Sequence, residues 1–138
     1  MDRGRSRPGR GAGRAHVVRA ALESIALQTR DVLEAMARDS GLKPSALRAD
    51  GGASANNFLM QFQADVADLS VVRPRIIETT ALGAAMLAGR AVGLWTDTDL
   101  NRIWQSDCAF TPSMAPALRE QLLAGWQKAI GRAKGWIE

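Results

Sequence analysis

Val18, Leu22, Ile25, Thr29, Val32 and Met36 recur at steps of three and four, the spacing of one helix face, and predict a long helix over about 15–39. Gly41 and Pro44 stop it. A short strand follows over about 46–50 and runs into the paired glycines Gly51 and Gly52. Beyond them Phe58, Leu59, Phe62, Val66 and Leu69 mark the buried face of a second helix, and a second strand over about 69–73 ends at Pro74. Two strands joined by a helix of this length form a βαβ unit with parallel strands. Thr79 or Thr80 can cap a third helix rich in small residues. Gly83 and Gly89 within it each cost about 1 kcal/mol of helix propensity relative to alanine, so they point to a neighbour packed close against the helix or to a crowded interior. A short helix over 97–104 and a strand over 108–110 come next. Pro116 then opens a terminal helix striped by Leu118, Leu122, Trp126, Ile130, Ala133 and Ile137.

A chain of 138 residues that is 46% hydrophobic suits one domain around one core. Its apolar runs are broken well short of the roughly 20 residues a membrane span needs, and no charged start precedes an apolar targeting segment. The expectation is a soluble, cytoplasmic protein with no membrane partner. A single cysteine, Cys108, excludes an intrachain disulfide and a cysteine metal cluster, and reads as a packed, inert strand residue. The net charge of +4 is concentrated at one end, where Arg3, Arg5, Arg7, Arg10 and Arg14 face only Asp2. The body is electrically balanced, and residues 1–14 form an Arg/Gly-rich head without apolar period that should be disordered. RNA binding through this head ranks last among the functional readings, because the segment has no aromatic on which a base could stack.

The stretch over 47–61 carries the candidate chemistry. Glycine lets backbone approach a ligand closely, and the unsatisfied N–H groups of a helix's first turn favour anions or polar ligand edges. Asp50, ending the strand, could reach Mg²⁺ through water or, as the favoured reading, hold the amides of the turn. A lone carboxylate with no phosphate-loop lysine and no histidine partner does not specify a metal site. Asn56 and Asn57 pose a similar choice between capping the helix and hydrogen-bonding a purine or ribose. His16, the sole histidine, reads as a capping or packing residue at the start of the first helix. Glu23, four residues after Arg19, reads as a salt-bridge partner. No residue set forms a self-contained catalytic constellation.

The strings ADGGASANNFLMQFQADV and ETTALGAAMLAGRAVGLW resemble, in order and spacing, the C-terminal domain of glycerol kinases in the FGGY carbohydrate kinase family. The resemblance runs from about Arg10 to the terminal helix and places residues 16–23 in the tail of the family's second signature region. It implies an α/β fold: part of an actin-like ATPase (ribonuclease H-like) domain, helix-rich with an incomplete sheet, over residues 15–138. It implies ATP or ADP as ligand, with Mg²⁺ in the full-length family. By position Gly52 and Asn56 match the family's nucleotide contacts, with Gly51 and Ala53 shaping the turn around them. The arginine-rich head stands where the family has an apolar strand, so the N-terminal lobe, with its glycerol pocket, catalytic aspartate and a phosphate loop, is expected to be absent. On that reading no catalytic residue lies in this chain, which is inactive alone and meets glycerol only if the other lobe is supplied. Self-association or pairing with a complementary kinase lobe would cover the edge left by missing strands. The alternative is a non-enzymatic nucleotide-binding or oligomerisation module.

Overall fold

The computed structural model describes residues 11–103 and 105–135. Helix α1 spans Arg14–Ser40. It starts where the Gly13 amide donates to His16 Nδ1 at 3.1 Å, the capping role expected of that histidine, and it stops at Gly41, whose φ of 68° continues no helix. Residues 1–10, most of the arginine-rich head, lie outside the described residues, and Arg14 at its end is already helical.

Strand β1 (Ala46–Arg48), helix α2 (Asn57–Ala67) and strand β2 (Ser70–Pro74) form the βαβ unit, with β1 and β2 parallel from Ala46 beside Ser70 to Arg48 beside Val72. Helix α3 (Thr79–Ala91) and the short α4 (Asp97–Ile103) lead to β3 (Ser106–Phe110), which pairs antiparallel with β2. The sheet order is β1-β2-β3, and α5 (Pro116–Ala133) closes the described chain with Pro116 in its first turn. Among the described residues no helix is long and apolar enough to cross a membrane.

The core is built around α2. Leu59, Met60, Phe62, Ala64 and Val66 are buried with Ala26 and Leu27 of α1 and Val71 of β2, while Leu47, Phe110, Leu122, Leu123 and Trp126 pack around them. Small Ala26 lets the two helices approach, and its carbonyl accepts from Gln63 Nε2 at 3.3 Å. This contact corrects the stripe read from periodicity. Ile25, Val32 and Met36 are 47%, 58% and 61% exposed, and the face α1 turns inward lies one residue further along. The apolar band on α1 is wider than one packed face, so spacing alone does not select which half is covered. Phe58, expected in the core, is 41% exposed and stacks on Phe62 at 6.0 Å.

Three further expectations change. Neither Thr79 nor Thr80 caps α3, whose N-cap is Glu78 without a side-chain bond. Gly89 does have a close neighbour, the Trp95 ring, which lies where any Cβ would sit, but Gly83 has open space around it. Cys108 lies on β3 as expected but is only partly buried there.

Polar bridges hold α5 in place. Trp126 Nε1 donates to Asp31 Oδ2 of α1 at 2.7 Å, and Arg119 grips both Asp68 oxygens at 2.6 and 3.0 Å. Buried Asp65 accepts the Ser113 and Met114 amides at 2.7 and 3.1 Å, fixing the loop that enters α5. Asp65→Ala leaves those amides without their acceptor and is expected to lower the unfolding free energy by about 2 kcal/mol in urea titration, with Asp65→Asn losing less. At the start of α4 the Asp99 carboxyl is held below its ordinary range, first by the Thr96 hydroxyl and then by the Thr96 amide. A depressed folded pKa stabilises above the unfolded value of 3.8 and is lost as the pH falls through the lower folded value. Fraying of α4 on acidification, absent in Asp99→Asn, is the expected sign.

Candidate functional site

Three elements converge at the turn after β1. Gly51 has φ 79° and ψ 170°, a backbone region open essentially to glycine, and its amide donates to the Ile77 carbonyl at 2.7 Å. Gly52–Ala55 then form one turn of 3-10 helix. Buried Ser54 ties this turn down, because both its amide (3.0 Å) and its hydroxyl (2.7 Å) donate to the Gly51 carbonyl. The amides of Gly52 and Ala53, at the start of the turn, find no protein acceptor among the described residues. They are donors presented at the surface of a fixed turn.

Gly52 differs from Gly51 in a telling way. Its φ is ordinary and a Cβ built on it meets nothing within 4 Å. Nothing within the described chain therefore requires a glycine there, whereas a ligand resting against that backbone would.

Asn56 caps α2, its Oδ1 accepting from the Leu59 amide at 3.2 Å, while its residue remains exposed. The cap uses the carbonyl oxygen and leaves the amide nitrogen to donate, so the two roles open to Asn56 are compatible. Asn57 likewise uses its carbonyl oxygen, which accepts from Arg73 at 2.8 Å. Asp50 is exposed, and among the described residues its carboxylate neither holds the turn's amides nor joins an ion pair, contrary to the favoured expectation. The amides it was expected to hold are either spent on Ile77 or open to solvent. No group of three or more metal-ligating side chains occurs among the described residues.

A cleft of about 320 Å³ opens beside the turn, lined by Asp50, Pro74, Thr79, Leu82, Gly83 and Met86. The larger groove, of about 420 Å³, lies at the far end of α2 against Val66 and Asp68, where Arg30 and Arg119 are already paired with Glu34 and Asp68. Its remoteness from the open amides sets it aside. His16 and Glu23 are also apart from the turn in role, the first a cap and the second bonded to Arg19 Nε at 2.6 Å. Arg73 was missed in the sequence; an arginine next to the apolar pair Val71-Val72 in the strand Ser70–Pro74 was the available signal.

Residues 3–92 match the family model described as the FGGY family of carbohydrate kinases, C-terminal domain. The chain belongs to the FGGY carbohydrate kinases. Among curated FGGY relatives, the glycerol kinase of Petrotoga mobilis is 61% identical over 130 residues, and that of Caldanaerobacter subterraneus 60%. In both, the match covers 94% of this chain and 26% of the relative, so the chain spans about a quarter of their length. Among solved structures, Plasmodium falciparum glycerol kinase with ADP superimposes with a TM-score of 0.77 at 33% identity, covering 95% of this chain and 26% of that one. A xylulose kinase from Lactobacillus acidophilus, 24% identical, shares the fold with a TM-score of 0.72 over 91% of this chain and 27% of its own. The α/β arrangement is thus part of the actin-like ATPase fold of FGGY kinases, helix-rich with a small three-stranded sheet.

Proposed function

We propose that this chain forms the adenosine side of a glycerol kinase cleft, binding ATP or ADP through the Gly52 and Ala53 amides and the Asn56 side chain, with Gly51 setting the turn. The observation that carries this reading is the glycine at 52, unneeded by the fold, whose own amide and that of Ala53 stand open. The residues suit a nucleotide: the amides and the Asn56 nitrogen donate, as ring nitrogens and ribose oxygens require. Bound ATP would supply the phosphoryl group; this chain's part is to hold its base and sugar end in register. The reaction served is ATP-dependent phosphorylation of glycerol, as the name of the glycerol kinase relatives indicates, in the cytoplasm and with Mg²⁺ from elsewhere in the site.

Phosphoryl transfer needs an acceptor pocket and a base positioned against the terminal phosphate. None of the residues at the turn offers them, so the chain alone is expected to show no turnover with ATP, Mg²⁺ and glycerol in a coupled assay. Activity proportional to protein and removed by Asn56→Ala would overturn that. Calorimetric titration with ADP tests the binding itself: a saturable heat is expected, weakened about tenfold by loss of one good hydrogen bond in Asn56→Ala. A flat titration sinks the reading.

The uncovered face of α1, with Ile25, Val32 and Met36, supports a pairing role. The occupant we assign to it is the kinase portion that the relatives carry beyond the matched quarter of their length. Light scattering that shows a stable dimer of the chain alone would reassign that face to a second copy.

A further inference from the structure

We propose that Arg73 is the positioning residue of the nucleotide turn, acting through Ser54 and Asn57, with Asp107 as its anchor. This rests on the nucleotide reading of the turn above. Arg73 sits on β2 with its side chain 14% exposed. Its Nη1 donates to the Ser54 carbonyl at 3.0 Å and to Asn57 Oδ1 at 2.8 Å. Its Nε and Nη2 both donate to Asp107 Oδ2 of β3, at 3.0 and 2.8 Å, and the guanidinium lies over the Phe110 ring at 5.4 Å. All three nitrogens are thus engaged, and one rigid fork joins the sheet to the turn.

The consequence falls on the open amides. Gly52 and Ala53 are bracketed by Gly51, whose carbonyl is held by the Ser54 hydroxyl, and by Ser54, whose carbonyl is held by Arg73. A continuous hydrogen-bonded chain therefore runs Asp107 to Arg73 to Ser54 to Gly51 and fixes where those two N–H groups stand. Arg73 holds Asn57 Oδ1 as the Leu59 amide holds Asn56 Oδ1, so each asparagine keeps its amide nitrogen to donate and Arg73 fixes where that of Asn57 stands. Lysine cannot substitute fully, since a single ammonium lacks the planar fork needed to serve a carbonyl, an amide oxygen and a carboxylate together.

The test uses the full chain carrying Arg73→Gln, Arg73→Lys or Asp107→Asn, with two readouts. Without nucleotide, site-resolved exchange of the bonded turn amides of Ser54 and Asn56 is expected to quicken about tenfold in Arg73→Gln, with Val71 and Val72 in the ladder unchanged. In ADP titration the dissociation constant is expected to rise about tenfold in Arg73→Gln and less in Arg73→Lys, with Asp107→Asn between. Exchange in the turn that is unchanged, or that rises together with the ladder, overturns the positioning role, because the arginine would then be inert or only a general stabiliser. An unaltered ADP constant in Arg73→Gln overturns it too. If the parent chain binds no ADP, the nucleotide reading falls, and the exchange comparison still decides whether Arg73 holds the turn. Should Arg73→Gln fail to fold, Asn57→Ala removes one arm while keeping the Arg73–Asp107 pair, and the same two comparisons decide.

Discussion

Gly52→Val is expected to leave the melting temperature within about 2 °C of the parent and to weaken ADP binding by about a hundredfold or more, equivalent to roughly 2.7 kcal/mol. On the proposed nucleotide reading the two glycines of the turn serve different ends. Gly51 is needed by the backbone: at φ 79° and ψ 170° an L side chain is strained, so Gly51→Ala is expected to cost about 1–3 kcal/mol of stability. Gly52 has an ordinary φ and empty space where its Cβ would go, so the fold accepts a side chain there. The same side chain would stand between a ligand and the open Gly52 and Ala53 amides, and a clash is the strongest way to reject a partner. Thermal melts and calorimetric titration of the two variants separate these roles. A Gly52→Val chain that binds ADP like the parent removes the turn from the nucleotide site.

The sequence carried the local rules well and the long-range ones poorly. The glycine turn, the end of α1 at Gly41 and the His16 cap depend on residues within a few positions of one another, where backbone sterics and capping chemistry decide, and the βαβ unit follows from the crossover rule for a strand, a helix and a strand in sequence. The covered face of α1 depends instead on which neighbour arrives, and a band holding Ile25, Ala26, Leu27 and Val32 fits more than one neighbour. Phe58 shows the same limit, since it shares the spacing of the α2 stripe yet lies beyond the edge of what α1 covers. The site behaved alike. Gly51, Gly52, Ala53 and Asn56 could be proposed from the sequence because they lie within one short motif. The Arg73–Asp107 clamp spans residues from two strands and the turn, and only the pairing of β2 with β3 brings them together.

Phe62→Ala is expected to remove the cooperative unfolding transition at 25 °C, which circular dichroism during urea titration reads directly. Truncating a buried phenylalanine costs about 3–5 kcal/mol, and a small domain has only about 5–15 kcal/mol in total. This chain belongs at the lower end of that range. Among the described residues five of the eight buried apolar residues are on α2, while Val17, Val18, Ile25, Val32 and Met36 leave one side of α1 in water, so much of its hydrophobic surface contributes nothing to folding. Phe62, 6% exposed, sits in the middle of α2 between Leu59 and Val66 within the buried cluster, so its truncation leaves a cavity there. Phe58→Ala is the control, since it removes the stacked partner at 6.0 Å from a largely exposed position and should cost about 1 kcal/mol. A Phe62→Ala chain that melts within a degree or two of the Phe58→Ala chain would show that α2 is not the centre of the core. Supplying a partner that covers α1 is expected to restore the transition in Phe62→Ala, because binding to the folded state alone adds its free energy to folding.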